Sequence, residues 1–226
     1  MFSGYAGKSR LVQCVLGSLL ALLALPALAQ APRTPMATDA SITPTPTVLV
    51  MGDSLSAGYG LAADQGWVSL LGTQLAAAHP GWRVVNASIS GETTAGGSSR
   101  IVAEVLRTRP SVVVIALGAN DGLRGLPLRE ARRNLARMIG ASQYVGAKVL
   151  LVGMRMPPNL GPEYTQGFTQ MYRDLSRQFH TGYLPFLLEP IATDRNAFQD
   201  DNLHPTAAVQ PKLLAHVWPA LRPLLP

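Results

Sequence analysis

From residue 47 onward, short apolar runs alternate with longer stretches whose apolar residues recur at helical spacing. This alternation restricts the fold more than any other feature of the chain. It predicts strands at Val48–Met51, Val84–Val85, Val112–Leu117, Val149–Val152 and Tyr183–Phe186. The intervening segments predict helices at Trp67–Ala78, Gly97–Arg109, Leu128–Tyr144, Glu163–Phe179 and Ala207–Leu221. Pro80-Gly81, Pro110 and Gly146 stop the first three helices, and Pro185 assigns the fifth strand to an edge because proline cannot donate to a ladder. Strands and helices in strict alternation imply βαβ units, hence an α/β fold of three layers with a parallel sheet between helices. Five strands suggest the doubly wound, flavodoxin-like order 2-1-3-4-5, in which ligands sit beyond the carboxyl ends of the strands. Reactive residues are therefore expected just after strands.

With 47% hydrophobic and 14% charged residues, the chain has material for one well-packed domain, expected over residues 47–226. Residues 1–29 read as a secretory signal peptide. Lys8 and Arg10 precede an apolar run from Leu11 to Leu25, Pro26 breaks it, and Ala27-Leu28-Ala29 offers small residues for cleavage before Gln30. An uncut membrane anchor is the competing reading, and the run is short for a span. A lipoprotein would place Cys14 at the end of the run, not near its start. Residues 30–46, rich in Pro, Thr and Ala, read as a disordered linker. A periplasmic or secreted protein is thus expected. Cys14 is the only cysteine, so the exported domain has no disulfide and no thiol nucleophile. No cysteine and no paired histidine at ligand spacing argue against a metal site. The formal net charge is +6, but the arginines are scattered and do not alternate with aromatics. Solvated helix faces explain them better than nucleic-acid binding, and weak attraction to an anionic lipid surface stays open. A monomer is expected.

Four segments carry candidate chemistry. The first strand runs into Gly52-Asp53-Ser54-Leu55-Ser56-Ala57-Gly58, which presents Ser54 at the mouth of the site. A helix starting there would aim free N–H groups at the same point, fit to hold an oxyanion. The alternative is an ordinary strand-to-helix turn with Ser54 as N-cap. A phosphate loop would need a Lys that is absent, and a G-x-S-x-G elbow would need Gly where Ser56 stands. After the second strand, Gly91 is a candidate N–H donor; after the third, Asn120 offers a carboxamide, although Asn in a turn is often structural. Near the end, Asp201 and His204 are three apart. One tight turn can set the carboxylate on one imidazole nitrogen and leave the other free to take a serine proton. Asp200 is the rival orienter, and a histidine capping the last helix is the bland reading. Asp53 adjoins Ser54, where it would contact substrate or bond loop backbone. His79, His180 and His216 lie in or beside helices away from strand ends and receive no role.

Taken together, Ser54, Gly91, Asn120, Asp201 and His204 resemble the ordered blocks of the GDSL esterases of the SGNH-hydrolase superfamily. The likeness is greatest to the bacterial periplasmic group of multifunctional thioesterases, lysophospholipases and arylesterases. It spans nearly the whole domain from Val48. The resemblance implies a serine esterase with Ser54, Asp201 and His204 catalytic, and an oxyanion hole from the Ser54 and Gly91 N–H groups and the Asn120 side chain. It implies acyl esters, thioesters or lysophospholipids as substrates, and no cofactor. Met156-Pro157-Pro158-Asn159-Leu160 differs from the pattern in the loop that lines the family's acyl pocket. Met156 and Pro157 are accordingly substrate-binding candidates, and the resemblance adds Arg124, with Leu126, from a mobile loop over the groove. Ala119 stands where relatives carry a second Gly before the Asn, which predicts altered backbone angles there. A carbohydrate O-deacetylase of the same superfamily and a non-catalytic flavodoxin-like binding protein are the alternatives; the second leaves the Asp/His pair without a role.

Overall fold

A computed structural model describes residues 45–225. The expected signal peptide and all but the last two residues of the expected linker lie outside the described residues.

Five parallel strands form one sheet in the order β2-β1-β3-β4-β5: β1 Thr47–Gly52, β2 Arg83–Asn86, β3 Val112–Ala116, β4 Lys148–Val152 and β5 Gly182–Leu184. β1 and β3 are buried along their whole length. Their continuous apolar runs follow from this, because a parallel strand covered on both faces has no solvent side to make polar. Among the described residues seven α-helices flank the sheet: α1 Ser54–Ala57, α2 Trp67–Ala78, α3 Thr94–Thr108, α4 Ala119–Leu123, α5 Leu128–Tyr144, α6 Pro162–Phe179 and α7 Gln210–Leu221.

The two faces of the sheet carry separate cores. Val48, Val50, Val112, Val114, Leu150 and Val152 pack with Trp67, Leu71 and Leu75 of α2 and Leu213, Val217 and Leu221 of α7. The alternate residues Leu49, Met51, Val113, Ile115, Val149 and Leu151 pack with Ile101 and Val105 of α3, Leu135 and Met138 of α5, and Phe168 and Leu175 of α6. The period-two alternation of side chains sends each strand's residues to opposite layers. The expected α/β/α architecture and strand order are those of the molecule.

Several boundaries differ from expectation. α3 begins at Thr94, not Gly97, because the Asp121 carboxylate accepts hydrogen bonds from the Thr94 N–H at 2.8 Å and the Thr94 hydroxyl at 2.5 Å. That cap comes from another loop, so no local pattern announces it. β5 ends at Leu184, one residue before Pro185, and β3 ends at Ala116. The last helix opens with a 3₁₀ turn at Ala207–Val209 and becomes α-helical from Gln210. A short helix, α1, does begin at Ser54, as one reading of that turn allowed, whereas α4 has no counterpart in the sequence reading. Among the described residues no helix is long and apolar enough to cross a membrane.

Candidate active site

The Ser54 turn is built into the core. β1 ends at Gly52, and Asp53 takes extended backbone as the N-cap of α1, its Oδ1 accepting the Leu55 N–H at 3.0 Å. The cap is therefore Asp53, not Ser54, and the serine hydroxyl is spared that bond. Gly52 packs so closely that an added Cβ would come within 2.6 Å of Ser56, so a side chain there would push the turn aside. The Trp67 indole N–H donates to the Leu55 carbonyl at 3.2 Å, and the Asn86 amide donates to the Ser56 carbonyl at 2.9 Å. Burial raises the Asp53 carboxyl to about 6, opposed by the Leu55 N–H and by proximity to His204.

The loop after β2 runs beside the end of β1. The Ile89 N–H donates to the Gly52 carbonyl at 3.0 Å, and Gly91 lines the same cavity as Ser54. Gly91 has φ +78, a left-handed conformation that glycine adopts without strain. Three donors hold this turn by its carbonyls: Arg100 Nη2 to Ala87 at 2.9 Å, Asn120 Nδ2 to Glu92 at 3.0 Å and Arg124 Nη2 to Gly91 at 3.2 Å. The Asn120 amide is thereby fixed in orientation. The Ser54 and Gly91 N–H groups have no acceptor among the described residues.

The residue before Ala119 carries the unusual backbone of this turn. Gly118 has φ +124, and a Cβ there would lie 2.0 Å from the Tyr172 hydroxyl oxygen. Ala119 itself begins α4 and lines the cavity.

Asp201 and His204 lie on the loop before α7. Asp201 Oδ1 accepts the backbone N–H groups of Leu203 at 2.9 Å and His204 at 3.0 Å, while its Oδ2 lies 2.6 Å from His204 Nδ1. These bonds hold the Asp201 carboxyl down at about 2. His204 Nε2 is 2.8 Å from Ser54 Oγ. Asp200 makes no side-chain contact with His204; its carbonyl accepts the Asn202 amide. His79 and His180 end α2 and α6, and His216 Nε2 is 3.0 Å from the Phe186 carbonyl.

A cavity of about 520 Å³ opens beside the serine. Ser54, Gly91, Asn120 and His204 line it together with Asp53, and Leu123, Met154, Met156, Pro157, Phe186, Leu188 and Phe198 make most of its wall apolar. Met156 and Pro157 are thus in the wall. Asp53 lines the cavity too but spends one oxygen on the α1 cap. Arg124 and Leu126 do not line the cavity: Arg124 braces the Gly91 turn, and Leu126 bonds Asp121 and the Tyr164 hydroxyl, leaving Leu123 as that loop's contribution. Sequence reasoning missed Asp121, which ties α4 to α3, and Gln199, which bonds the Tyr59 and Pro205 carbonyls. The one local cue for Asp121 was its place next to Asn120 at a strand end.

Residues 50–210 match the GDSL-like Lipase/Acylhydrolase family. The chain is 48% identical over 179 residues to the Esterase TesA of Pseudomonas aeruginosa, covering 79% of this chain and 89% of that protein. It is 35% identical over 183 residues to the Thioesterase 1/protease 1/lysophospholipase L1 of Escherichia coli, covering 79% and 85%. The crystal structure of the psychrotrophic esterase EstA from Pseudoalteromonas sp., inhibited by monoethylphosphonate, superposes with a TM-score of 0.76 at 37% identity, covering 79% of this chain and 98% of that one. A three-layer serine-hydrolase scaffold with an acyl-sized cavity is the class these features define. The chain belongs to the GDSL-like lipase/acylhydrolase family.

Proposed function

We propose that this ester hydrolase cleaves acyl esters through a covalent acyl-enzyme on Ser54. The observation that carries the reading is the unbroken line from Asp201 Oδ2 through His204 to Ser54 Oγ, at 2.6 and 2.8 Å. Ser54 Oγ attacks the carbonyl carbon as its proton passes to His204 Nε2. Asp201 holds Nδ1–H and stabilises the imidazolium that forms. The Ser54 and Gly91 N–H groups and the Asn120 amide hold the oxyanion. The C–O bond to the leaving group then breaks, and His204 gives the alcohol its proton. Water, deprotonated by His204, releases the acyl group from Ser54 by the same path. Because Asp201 is held ionised down to about pH 2, acid inactivation of the folded enzyme does not begin at Asp201.

The apolar wall supports acyl chains over acetylated sugars, and so favours an esterase over a deacetylase. Esters, lysophospholipids and thioesters are the proposed substrates. Met156 and Pro157 contact the acyl group, with Asp53 beneath the reacting centre and Arg124 acting through the Gly91 turn. The proposed enzyme is a monomer without a nucleic-acid partner that touches lipid surfaces transiently. Residues 1–29 are proposed to direct export to the periplasm or medium. N-terminal sequencing of the exported protein then starts at Gln30, and a start at Met1 overturns cleavage.

Hydrolysis of p-nitrophenyl esters from acetyl to palmitoyl, with Ser54→Ala beside the wild type, tests the mechanism. Activity confined to the wild type is expected, with the chain-length profile sizing the cavity. Equal activity in both proteins would remove Ser54 from the mechanism.

A further inference from the structure

His204 sits on a surface loop, and the chain provides a second hold on it besides Asp201. Tyr59 follows Gly58, the C-cap of α1, and its N–H donates to the Ser54 carbonyl at 3.2 Å. Its ring is half-exposed yet lies against the His204 imidazole, with centroids 4.5 Å apart and planes at 38°. The Tyr59 carbonyl accepts a hydrogen bond from Gln199 Nε2 at 2.9 Å, and the same amide nitrogen donates to the Pro205 carbonyl at 3.1 Å. The Gln199 N–H donates to the His204 carbonyl at 2.8 Å. Gly60 has φ +75, and a Cβ on it would lie 2.2 Å from Gln199 Oε1, so the carboxamide fills the space that glycine leaves. One side chain thus bonds both the Ser54 segment and the His204 turn, 140 residues apart in sequence for its contact with Tyr59.

We propose that Tyr59 and Gln199 form a strap that positions the His204 imidazole on Ser54. This rests on the Ser54–His204–Asp201 reading. Asp201 fixes the ring at Nδ1 but leaves it free to swing about that contact. The Tyr59 ring packs against the imidazole and limits that swing, and Gln199 keeps the Tyr59 backbone against the histidine loop. The electron-rich ring face also favours the imidazolium that forms when Ser54 attacks. Tyr59 and Gln199 are positioning residues: both act through His204.

The test uses Tyr59→Leu, Tyr59→Phe and Gln199→Met, the last keeping side-chain length without either donor. Two readouts are taken: kcat and KM on p-nitrophenyl butyrate, and the rate at which a p-nitrophenyl alkylphosphonate ester labels Ser54. In the labelling, the Oγ–P bond forms, p-nitrophenolate leaves and the serine proton goes to His204, so its rate reads the serine–histidine geometry. Tyr59→Leu and Gln199→Met are expected to lower kcat and labelling by about 10–100-fold with KM within about threefold, because misplacement near 1 Å costs about 10²-fold. Tyr59→Phe is expected to retain the rate within about threefold, since the ring and not the hydroxyl is required. The Tyr59→Leu, Gln199→Met double variant should lose no more than the worse single one. Labelling of Tyr59→Leu at the wild-type rate, or a loss confined to KM, overturns the strap while leaving the Ser54 mechanism standing. Tyr59 is exposed, so that variant decides the matter even if Gln199→Met fails to fold. Wild-type protein that resists labelling overturns the Ser54 assignment and the strap with it.

Discussion

The nucleophile and its base are held in opposite ways. Ser54 follows a strand with no exposed residue, is framed by Asp53, Gly52 and the Trp67 indole, and moves only if the core moves. Asp200, Asp201, Asn202 and Leu203 are exposed, and their loop is ordered by its own short-range hydrogen bonds, the Phe198–Pro205 bridge and Gln199. The two acids make the same contrast. Burial lifts Asp53 to about 6, whereas hydrogen bonds hold the exposed Asp201 near 2. Changes near the serine should register in stability as well as rate, and changes at the exposed acids of the Asp/His loop chiefly in rate.

The largest effects come from the reacting pair. Ser54→Ala and His204→Ala should each lower kcat by about 10⁶-fold, and the double variant should be no worse, because the two act as a unit. A double variant far below either single one would separate their roles. Asp201→Asn comes next, with a loss of about 10⁴-fold in kcat from a mis-set tautomer. Its unfolding midpoint in urea should fall only slightly, because the Asn oxygen still accepts the Leu203 and His204 N–H groups, and the neighbouring Asp200→Asn should keep full activity. If Asp200→Asn is the slower of the two, the orienter has been misassigned.

Asn120→Ala removes one oxyanion donor and should cost about 10²–10³-fold in kcat. A change under about twofold would exclude the Asn120 amide from the oxyanion hole. The smallest effect tests the buried side of the comparison. Asp53→Asn keeps a capping oxygen and removes a buried charge. A carboxyl raised in the folded state costs nothing below its unfolded value near 3.8, and its penalty grows as pH rises toward about 6. Relative to wild type, the variant should therefore gain on the order of 2 kcal/mol between pH 4 and 7. A stability difference that does not vary with pH would mean that Asp53 is not the group being titrated.

Much of the frame was legible because it is local. Strands buried on both faces must be continuously apolar, and α2 and α5 begin and end where their periodicity and stop signals do. The site segments were legible because each follows a strand end or precedes the last helix. Other features rest on contacts across the chain. Thr94 starts α3 because Asp121 caps it, and Gln199 has a partner only once the Tyr59 and His204 loops meet. Helices as short as α1 and α4 complete little more than one turn, too few residues to show a period. The resemblance assigns Arg124 to the groove, and only the structure shows its guanidinium bonded to the Gly91 carbonyl.

The central claim is that the surface loop delivers its histidine to a serine set in the core, and that the serine carries the acyl group. Acid-quenching the enzyme during turnover of p-nitrophenyl butyrate and weighing its peptides tests this directly. One butyryl group on the peptide that contains Ser54, absent in Ser54→Ala, is the result expected. Turnover with an unmodified Ser54 peptide, or with the acyl group on another residue, would contradict it.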